Sequence, residues 1–187
     1  MDFNLGQLRC GRPSHRFRPG PHRRPPATIF WIRLHVAYHR VDHAAAFHIA
    51  ACHQVETILG APIAKNLFLC NRQKTQFYLL LLGGDKKFKT KYLSAQLGCS
   101  RLSFAEPEDF TRLLGVQPGS ASLLCLLQDQ GQAIQWSWTA LLQLDFWGLH
   151  PCRNTSTLRI ATTDILEQVI PALGHRPIWV DLPEEDL

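Results

Sequence analysis

The stretch KNLFLCNRQKTQFYLLLL, from Lys65 to Leu82, decides the fold of this 187-residue chain. It holds two apolar runs, KNLFLC and QFYLLLL, on either side of the polar sequence NRQKT. Short apolar runs with aromatic residues, bounded by turn-forming residues, are typical of β-strands. The stretch therefore predicts two neighbouring strands joined by a turn, and the rest of the chain can be placed around them.

Strand and helix patterns intermix on both sides of this pair without a regular period or an internal repeat. Strands are predicted over residues 28–41, 101–105, 158–161 and 175–182, and residues 122–129 and 132–138 flank a second turn at 129–131. Helices are predicted over residues 50–60, 90–98, 106–115 and 162–174. Pro107 suits the first turn of the third helix, and Thr162 or Thr163 suits the cap of the fourth. The pattern predicts the α/β class, as one domain with a single mixed, curved β-sheet and packed helices.

Positive charge is concentrated at the N-terminus. Residues 1–40 carry eight arginines and one acid, Asp2, whereas residues 41–187 carry twelve Lys/Arg and fourteen Asp/Glu. Residues 1–27 are also rich in Pro, Gly, Arg and His, a composition that opposes regular structure. We predict a disordered basic extension over residues 1–27, with targeting or RNA contact as alternatives, and one domain over 28–187. Because the body is slightly acidic, nucleic-acid binding there requires a local basic patch.

The remaining composition narrows the class of protein. The six cysteines are widely spaced and form no CxxC pair, which argues against a zinc site or a secreted disulfide framework and favours the cytoplasm. No apolar run is long enough to span a membrane. His43, His48 and His53 recur every five residues, which suits neither a helix face nor a strand face, so no metal site is expected. Motifs for nucleotide binding, metalloproteases and serine hydrolases are absent from the sequence, and no cofactor is expected.

Three short stretches carry the candidate chemistry. Lys65 and Asn66 stand at the mouth of an apolar strand, where a cation and an amide can hold a phosphate or a carbonyl. The loop 115–120, GVQPGS, allows backbone groups to approach a ligand closely. The stretch 150–157, HPCRNTST, sets a histidine beside a proline ahead of a polar run. Each stretch also has a purely structural interpretation: a solvated strand end, a helix C-cap followed by a turn, and a surface loop.

Taken together, six ordered motifs resemble those of the YbaK/ProX superfamily of aminoacyl-tRNA deacylases, which are relatives of the editing domain inserted in bacterial prolyl-tRNA synthetases. The motifs are KNLFL, a GDK loop, LG-x-SRLSFA-x-PE, LLGVQPGS, HP-x-x-NT-x-T and ALGH-x-P-I-x-VDL, and the resemblance as a whole extends from about Tyr38 to Leu182. The KNLFL form looks more like the ProX branch, which clears alanine mischarged on proline tRNA. The resemblance implies the fold of that editing domain.

The resemblance also implies a function and a site. The protein would be a trans-editing enzyme that hydrolyses the ester of mischarged proline tRNA, with Lys65 and His150 as catalytic residues. The substrate-binding residues would be Asn66, Phe47, His48, Gly115, Pro118, Gly119, Ser120, Asn154 and Thr155. The alternatives are a deacylase for the cysteine or serine form, or a catalytically inactive relative that binds tRNA or a synthetase.

One segment departs from the family pattern His-Pro-x-x-Phe-Thr-x-Glu. His43 and Phe47 are kept, but Ala44, His48 and Ala50 replace the proline, threonine and glutamate. Because this segment commonly helps to form the substrate pocket, a larger and titratable His48 is expected to alter the size of the pocket. The segment 135–149 is also unusually apolar, which favours burial against a partner or a second copy, or else low stability of the protein.

The densest basic cluster of the body is formed by Lys86, Lys87, Lys89 and Lys91, with Lys74. These lysines are candidates for RNA binding, and the alternative is a solvated helix start. The expected partners are the acceptor end of proline tRNA and prolyl-tRNA synthetase. No pattern sets the oligomeric state, and a monomer is the default expectation.

Overall fold

The computed structural model describes residues 9–10, 34–46, 49–84, 86–139 and 144–183. Its strands are β1 (Arg9–Cys10), β2 (Tyr38–Asp42), β3 (Lys65–Cys70), β4 (Phe77–Leu82), β5 (Ser103–Phe104), β6 (Ile134–Thr139), β7 (Phe146–Leu149), β8 (Ser156–Ala161) and β9 (Pro177–Val180). Its helical segments are α1 (Ile49–Leu59), α2 (Thr90–Leu97), α3 (Pro107–Asp109) with a π-helical continuation (Phe110–Leu114), a 3-10 helix (Leu123–Gln128), α4 (Thr162–Asp164) with a π-helical continuation (Ile165–Val169), and α5 (Ile170–Leu173).

The hairpin β3–β4 forms the middle of a mixed sheet with the strand order β5-β3-β4-β6-β9. It is antiparallel, and its register pairs Lys65 with Leu82 and Cys70 with Phe77. The turn closes because Oδ1 of Asn71 accepts hydrogen bonds from the backbone N–H groups of Thr75 and Gln76. All six residues of β4 are buried, which explains why this strand reads as an unbroken apolar run.

The two faces of this sheet bury separate apolar clusters. Leu79 and Leu81 lie in a cluster with the 3-10 helix, β7 and β8, whereas Leu80 and Leu82 lie in a cluster that includes Leu93 of α2. A side chain of β3 therefore faces α2 or the opposite cluster, according to its place in the alternation along the strand.

A second sheet among the described residues is antiparallel and has the order β1-β2-β8-β7. It is linked to the mixed sheet where Ile63 bridges Gly148, just before β3 and within β7. Helix α1 covers this region, and Leu59 of α1 packs with Val41 and Ile63. The α/β class and the mixed sheet are confirmed, but the strands of the described residues are divided between two sheets. The reason is that β8 pairs with β2 and β7, and β1 pairs with β2, while the link to the mixed sheet is the bridge between Ile63 and Gly148.

The hairpin, the four helices and the last strand form where the sequence predicts them, but three details are wrong. Residues 123–128 form a 3-10 helix, since the Ser122 hydroxyl accepts from the Leu124 N–H and β6 already occupies the sheet position beside β4. Ala161 occupies the N-cap position of the last helix, and no side chain caps it; the Thr162 hydroxyl donates to the carbonyl oxygen of Leu144 instead.

The third detail is that residues 34–37 of the strand predicted over residues 28–41 precede β2, which begins at Tyr38; residues 28–33 lie outside the described residues. Of the predicted extension 1–27, the structure describes the strand Arg9–Cys10, which pairs with β2. The rest of that extension stays a prediction. Within the described ranges, no helix combines the length and the apolar composition that crossing a membrane requires.

Candidate functional site

Lys65 and Asn66 are consecutive in β3, so their side chains leave the sheet on opposite faces. The half-buried Lys65 donates from Nζ to the carbonyl oxygen of Lys86, 3.1 Å away, and Leu67 lines the same cavity two residues further on. Asn66 donates from Nδ2 to the carbonyl oxygen of Ala64 at 2.8 Å. Its Oδ1 is buried and has no hydrogen-bond partner among the described residues. The two residues thus offer a cation on one face and an unpaired acceptor on the other.

The junction of the two sheets brings the Lys65 segment next to the His150 segment. The backbone N–H of Ala64 donates to the carbonyl oxygen of Gly148 at 3.0 Å, and Gly148 donates to Pro62 at 2.8 Å. Lys65 follows this junction by one residue and His150 follows it by two. The hydrogen bonds of the two side chains nevertheless go to different partners, so the link between them is made by the backbone.

His150 is buried at the end of β7, and its protonation can be assigned from its partners. Its Nδ1 lies 3.2 Å from the carbonyl oxygen of Ser156 and 3.3 Å from Oγ1 of Thr157. A carbonyl oxygen only accepts, so Nδ1 carries a proton. Burial lowers the pKa of His150, and the positive potential of nearby His43 acts in the same direction, whereas the hydrogen bond to Ser156 opposes them. In the resulting neutral ring Nε2 carries the lone pair, which can accept a proton or a hydrogen bond.

His43 completes a small polar cluster around His150. Its Nε2 lies 2.9 Å from Oγ1 of Thr157, and the two imidazole centroids are 6.3 Å apart. The backbone N–H of His43 donates to the carbonyl oxygen of Thr155 at 3.0 Å, and that of Ala46 donates to Asn154 at 3.3 Å. Asn154 and Thr155, expected to bind substrate, thus hold the His43 segment through their backbone oxygens.

From the sequence, His43 was considered as a residue that the family keeps and as part of a histidine spacing unsuited to metal binding, and Thr157 was named only within the stretch 150–157. The family motif around His43 was the available signal, because 107 residues separate it from His150. Phe47 and His48, the other residues expected from that motif, lie outside the described residues.

The glycine loop predicted to line the pocket follows the helix that begins at Pro107. Gly115 (φ +66°) and Gly119 (φ +85°) both adopt left-handed backbone conformations, which favour glycine. Pro118 and Gly119 are exposed, and the Ser120 N–H donates to the carbonyl oxygen of Gln117 at 3.0 Å. The loop is therefore a tight turn whose tip is open to solvent.

A pair of cysteines connects this loop to the His150 segment. Cys125 Sγ lies 3.9 Å from the carbonyl oxygen of Ser120 and donates to Cys152 Sγ at 3.5 Å. That hydrogen bond, together with burial, raises the pKa of Cys125. The same hydrogen bond lowers the pKa of Cys152. Burial acts in the opposite direction, and the positive charge of Arg153 lowers the pKa further. The contacts of Cys125 thus place Ser120, at the end of the loop, close to Cys152, two residues after His150.

The lysines predicted to bind RNA divide into two groups. Lys86, Lys87 and Lys89 line a cavity of about 410 Å³ together with Lys65. Lys91 lies beyond it in α2, where its Nζ is 4.5 Å from the ring centroid of Tyr92. Within the residues that the structure describes, no three His, Cys, Asp or Glu side chains come together in a way that could hold a metal ion.

Comparison with known proteins identifies the class to which this fold and site belong. Residues 43–167 match the model of the family described as the aminoacyl-tRNA editing domain. The chain is 26% identical over 143 residues to the prolyl-tRNA editing protein ProX of Acetoanaerobium sticklandii, covering 76% of this chain and 87% of that protein. It is 29% identical over 143 residues to prolyl-tRNA synthetase associated domain-containing protein 1 of Mus musculus, covering 74% and 83% of the two chains.

Solved structures show the same fold. A candidate trans-editing enzyme for prolyl tRNA synthetase superposes with a TM-score of 0.61 at 16% identity, covering 84% of this chain and 98% of that one. The hypothetical protein APE2540 superposes with a TM-score of 0.62 at 16% identity, covering 83% and 97%. The chain belongs to the aminoacyl-tRNA editing domain family, in its YbaK/ProX-like group, which confirms the resemblance seen in the six motifs.

Proposed function

We propose that this protein is a trans-editing deacylase that hydrolyses mischarged proline tRNA, with alanine as the preferred amino acid. The observation that carries the proposal is the family match over residues 43–167, since it contains both Lys65 and His150. The name of the ProX relative, a prolyl-tRNA editing protein, supports proline tRNA as the substrate. The enzyme would act in the cytoplasm and remove products of prolyl-tRNA synthetase.

The reaction needs few catalytic groups, because an aminoacyl ester is already activated. Water attacks the carbonyl carbon, the bond to the ribose oxygen breaks, and that oxygen leaves with a proton. The ammonium of Lys65 would stabilise the negative charge that develops or pair with the terminal phosphate. Backbone N–H groups of the loop 115–119 would bind the tetrahedral oxygen. No metal is required for these steps.

Neutral His150 would act from the opposite side of the sheet junction. Its Nδ1 proton is held by the carbonyl oxygen of Ser156, so the lone pair of Nε2 remains available to the substrate. It would accept a hydrogen bond from the attacking water or from the amino group of the substrate. Thr157, which contacts both His150 and His43, would fix the orientation of the ring.

The preference for alanine follows from the logic of editing. A proline-activating site rejects a smaller amino acid weakly, because each missing methylene is worth only about 1–3 kcal/mol of discrimination. A second pocket that excludes proline by size can then destroy the smaller product. The exposed turn at Pro118 and Gly119 would set that size together with the residues after His43. Cysteine and serine are the alternative substrates of the same pocket.

The test is the release of labelled amino acid from proline tRNA charged with alanine, cysteine, serine or proline. We expect fast loss of alanine by the wild-type protein and a loss of at least about a hundredfold in rate in Lys65→Ala, the range for removal of one preorganised electrostatic group. Arg72→Ala is the matched control. It removes one positive charge from the exposed turn at the other end of the same hairpin, about 20 Å away at the usual rise per residue.

Each outcome has a distinct meaning. Release of cysteine or serine in place of alanine keeps the chemistry and contradicts the proposed specificity. If Lys65→Ala and Arg72→Ala reduce the rate of deacylation equally, the proposed catalytic role of Lys65 is contradicted. A lack of turnover on every charged tRNA, with tRNA still bound, would leave a catalytically inactive binding protein.

A further inference from the structure

The cavity beside Lys65 has an aromatic side that the proposed chemistry does not use. Its apolar lining consists of Leu67, Phe88 and Phe104, and its other lining residues are Lys65, Lys86, Lys87 and Lys89. None of these lining residues is acidic. Its volume of about 410 Å³ lies at the lower end of the range for ligand-binding cavities. The cavity therefore offers flat rings and positive charge side by side.

Phe104 is the most exposed large apolar residue among those described. Its side chain is 59% exposed, although it lies in β5 at the edge of the mixed sheet and the next residue, Ala105, is buried. Phe88 supports it from the loop before α2, with the ring centroids 6.5 Å apart and the planes at 76°. Such edge-to-face contact holds the Phe104 ring in place and leaves much of it open. A single exposed apolar residue is common on protein surfaces, but this one borders a group of lysines.

The lysines that line the cavity come from two elements, strand β3 and the loop before α2. Lys65 enters from β3 and is held by its hydrogen bond to the carbonyl oxygen of Lys86. Lys87 and Lys89 are exposed on the loop that carries Phe88 between them. This alternation of ammonium groups with an aromatic ring matches single-stranded nucleic acid, in which phosphates alternate with bases. Proteins that bind single strands combine a positive groove with aromatic rings on which the bases stack.

We propose that Phe104, supported by Phe88, is a stacking platform for a base at the single-stranded 3′ end of tRNA, and that Lys86, Lys87 and Lys89 bind the neighbouring phosphates. The inference rests on the proposed function, because it makes Lys65 the point where the groove for the RNA meets the reacting ester. It assigns a role to the phenylalanine of the SRLSFA motif. The protein would hold the 3′ end through the RNA itself, whichever amino acid the ester carries.

The test measures, by fluorescence anisotropy, how tightly the full-length protein binds a labelled single-stranded RNA that ends in CCA and carries no amino acid. Phe104→Leu keeps an apolar side chain but removes the ring, and we expect it to weaken binding about 5- to 150-fold, the effect of losing one stacked base. Phe104→Tyr keeps the ring and should retain binding. Trp179→Leu is the control, because Trp179 is an exposed aromatic residue (49%) on β9 at the opposite edge of the same sheet.

A second measurement separates phosphate binding from stacking. The double variant Lys86→Gln, Lys87→Gln should flatten the dependence of the logarithm of affinity on the logarithm of salt concentration by about 0.7 for each phosphate that is no longer neutralised. Arg72→Gln should leave that dependence unchanged. Phe104→Leu should weaken binding at every salt concentration without changing the slope, since a stacked ring releases no counterions.

Several results would overturn the platform. These are unchanged binding by Phe104→Leu, loss of binding by Phe104→Tyr as well as Phe104→Leu, and equal loss by Trp179→Leu. An acidic peptide that competes as well as the RNA would also overturn it, because a carboxylate cannot stack. This RNA carries no amino acid, so its binding does not depend on hydrolysis of an ester. The absence of deacylation would therefore contradict the proposed enzyme but would leave this binding result intact.

Discussion

The backbone N–H of Ala64 donates to the carbonyl oxygen of Gly148 at 3.0 Å, and this contact ties the mixed sheet to the second sheet. Lys65 and His150, which are distant in the sequence, flank the contact by one and two residues. A distortion here would shift one side chain relative to the other. A displacement of about 1 Å between reacting groups can cost about a hundredfold in rate, so the junction is a sensitive point of the molecule.

We predict that Gly148→Ala destabilises the protein and lowers deacylation. A Cβ at Gly148 would lie 3.0 Å from Cγ1 of Ile63, 3.0 Å from Cδ2 of Leu59 and 3.2 Å from Cα of Ile63. Because one of these atoms belongs to the backbone, the clash cannot be relieved by rotating side chains alone. Overpacking of this kind typically costs about 1–3 kcal/mol, which urea unfolding would measure.

Gly131→Ala is the matched control for that substitution. A Cβ at Gly131 would meet nothing within 4 Å, so the free energy of unfolding should change by about 0.5 kcal/mol or less. If Gly148→Ala unfolds at the same urea concentration as the wild type, the junction is more tolerant than its geometry indicates.

His150 should make the stability of the protein depend on pH. Its pKa in the folded protein is lowered, chiefly by burial, below the ordinary value of about 6.5 that it has when unfolded. Between those two values the unfolded chain binds the proton and the folded protein does not, so stability falls as pH falls through this range. The contribution is fully present above about pH 6.5.

The measurement is the free energy of unfolding at several pH values from neutral to mildly acidic, for wild type and His150→Gln. Glutamine can donate to Ser156 but does not titrate in this range, so the variant should lose stability less steeply below pH 6.5. Equal slopes for the two proteins would show that His150 titrates alike in the folded and unfolded chains.

Cys152 should react with iodoacetamide before Cys125 does. The hydrogen bond from Cys125 lowers the pKa of Cys152 and raises that of Cys125, and the thiolate is the reactive form. Cys125 is also fully buried, whereas Cys152 is partly exposed. Mass spectrometry of the alkylated protein at neutral pH would give the order of modification.

Cys125→Ala removes the donor and should slow the alkylation of Cys152, since the pKa of Cys152 would rise. Cys52 provides an internal comparison, because burial raises its pKa, with a smaller contribution from Glu56. Alkylation of Cys152 at the same rate in Cys125→Ala and wild type would contradict the proposed effect of the hydrogen bond.

The local elements could be predicted from the sequence because their signals lie within a few residues of one another. The hairpin 65–82 follows from two apolar runs and a polar turn, and helices end at Gly98 and Gly115 because those residues adopt left-handed conformations. The 3-10 helix at 123–128 was missed because a short apolar run suits a buried helix as well as a strand. Its conformation is decided by Ser122 and by the occupied sheet edge.

The candidate site was predictable only in part. The motifs identified Lys65, His150 and the glycine loop as candidates. The contacts that set the environment of these residues join parts of the chain that are far apart in the sequence. His43 meets Thr157 across 114 residues, and Phe88 meets Phe104 across the whole of α2. No local pattern encodes such pairs, because they depend on how the sheets and helices pack.

The sequence by itself determined the family, the order of the elements and the residue types available for chemistry, since these follow from motifs, propensities and turn residues. The tertiary structure alone decided what each side chain faces and how deeply it is buried. It set Lys65 against the carbonyl oxygen of Lys86, buried His150 so that its ring is neutral, and gathered lysines and phenylalanines around one cavity. The physical reason is that burial, hydrogen-bond partners and local charge are properties of the packed chain, and these set the reactivity of each group.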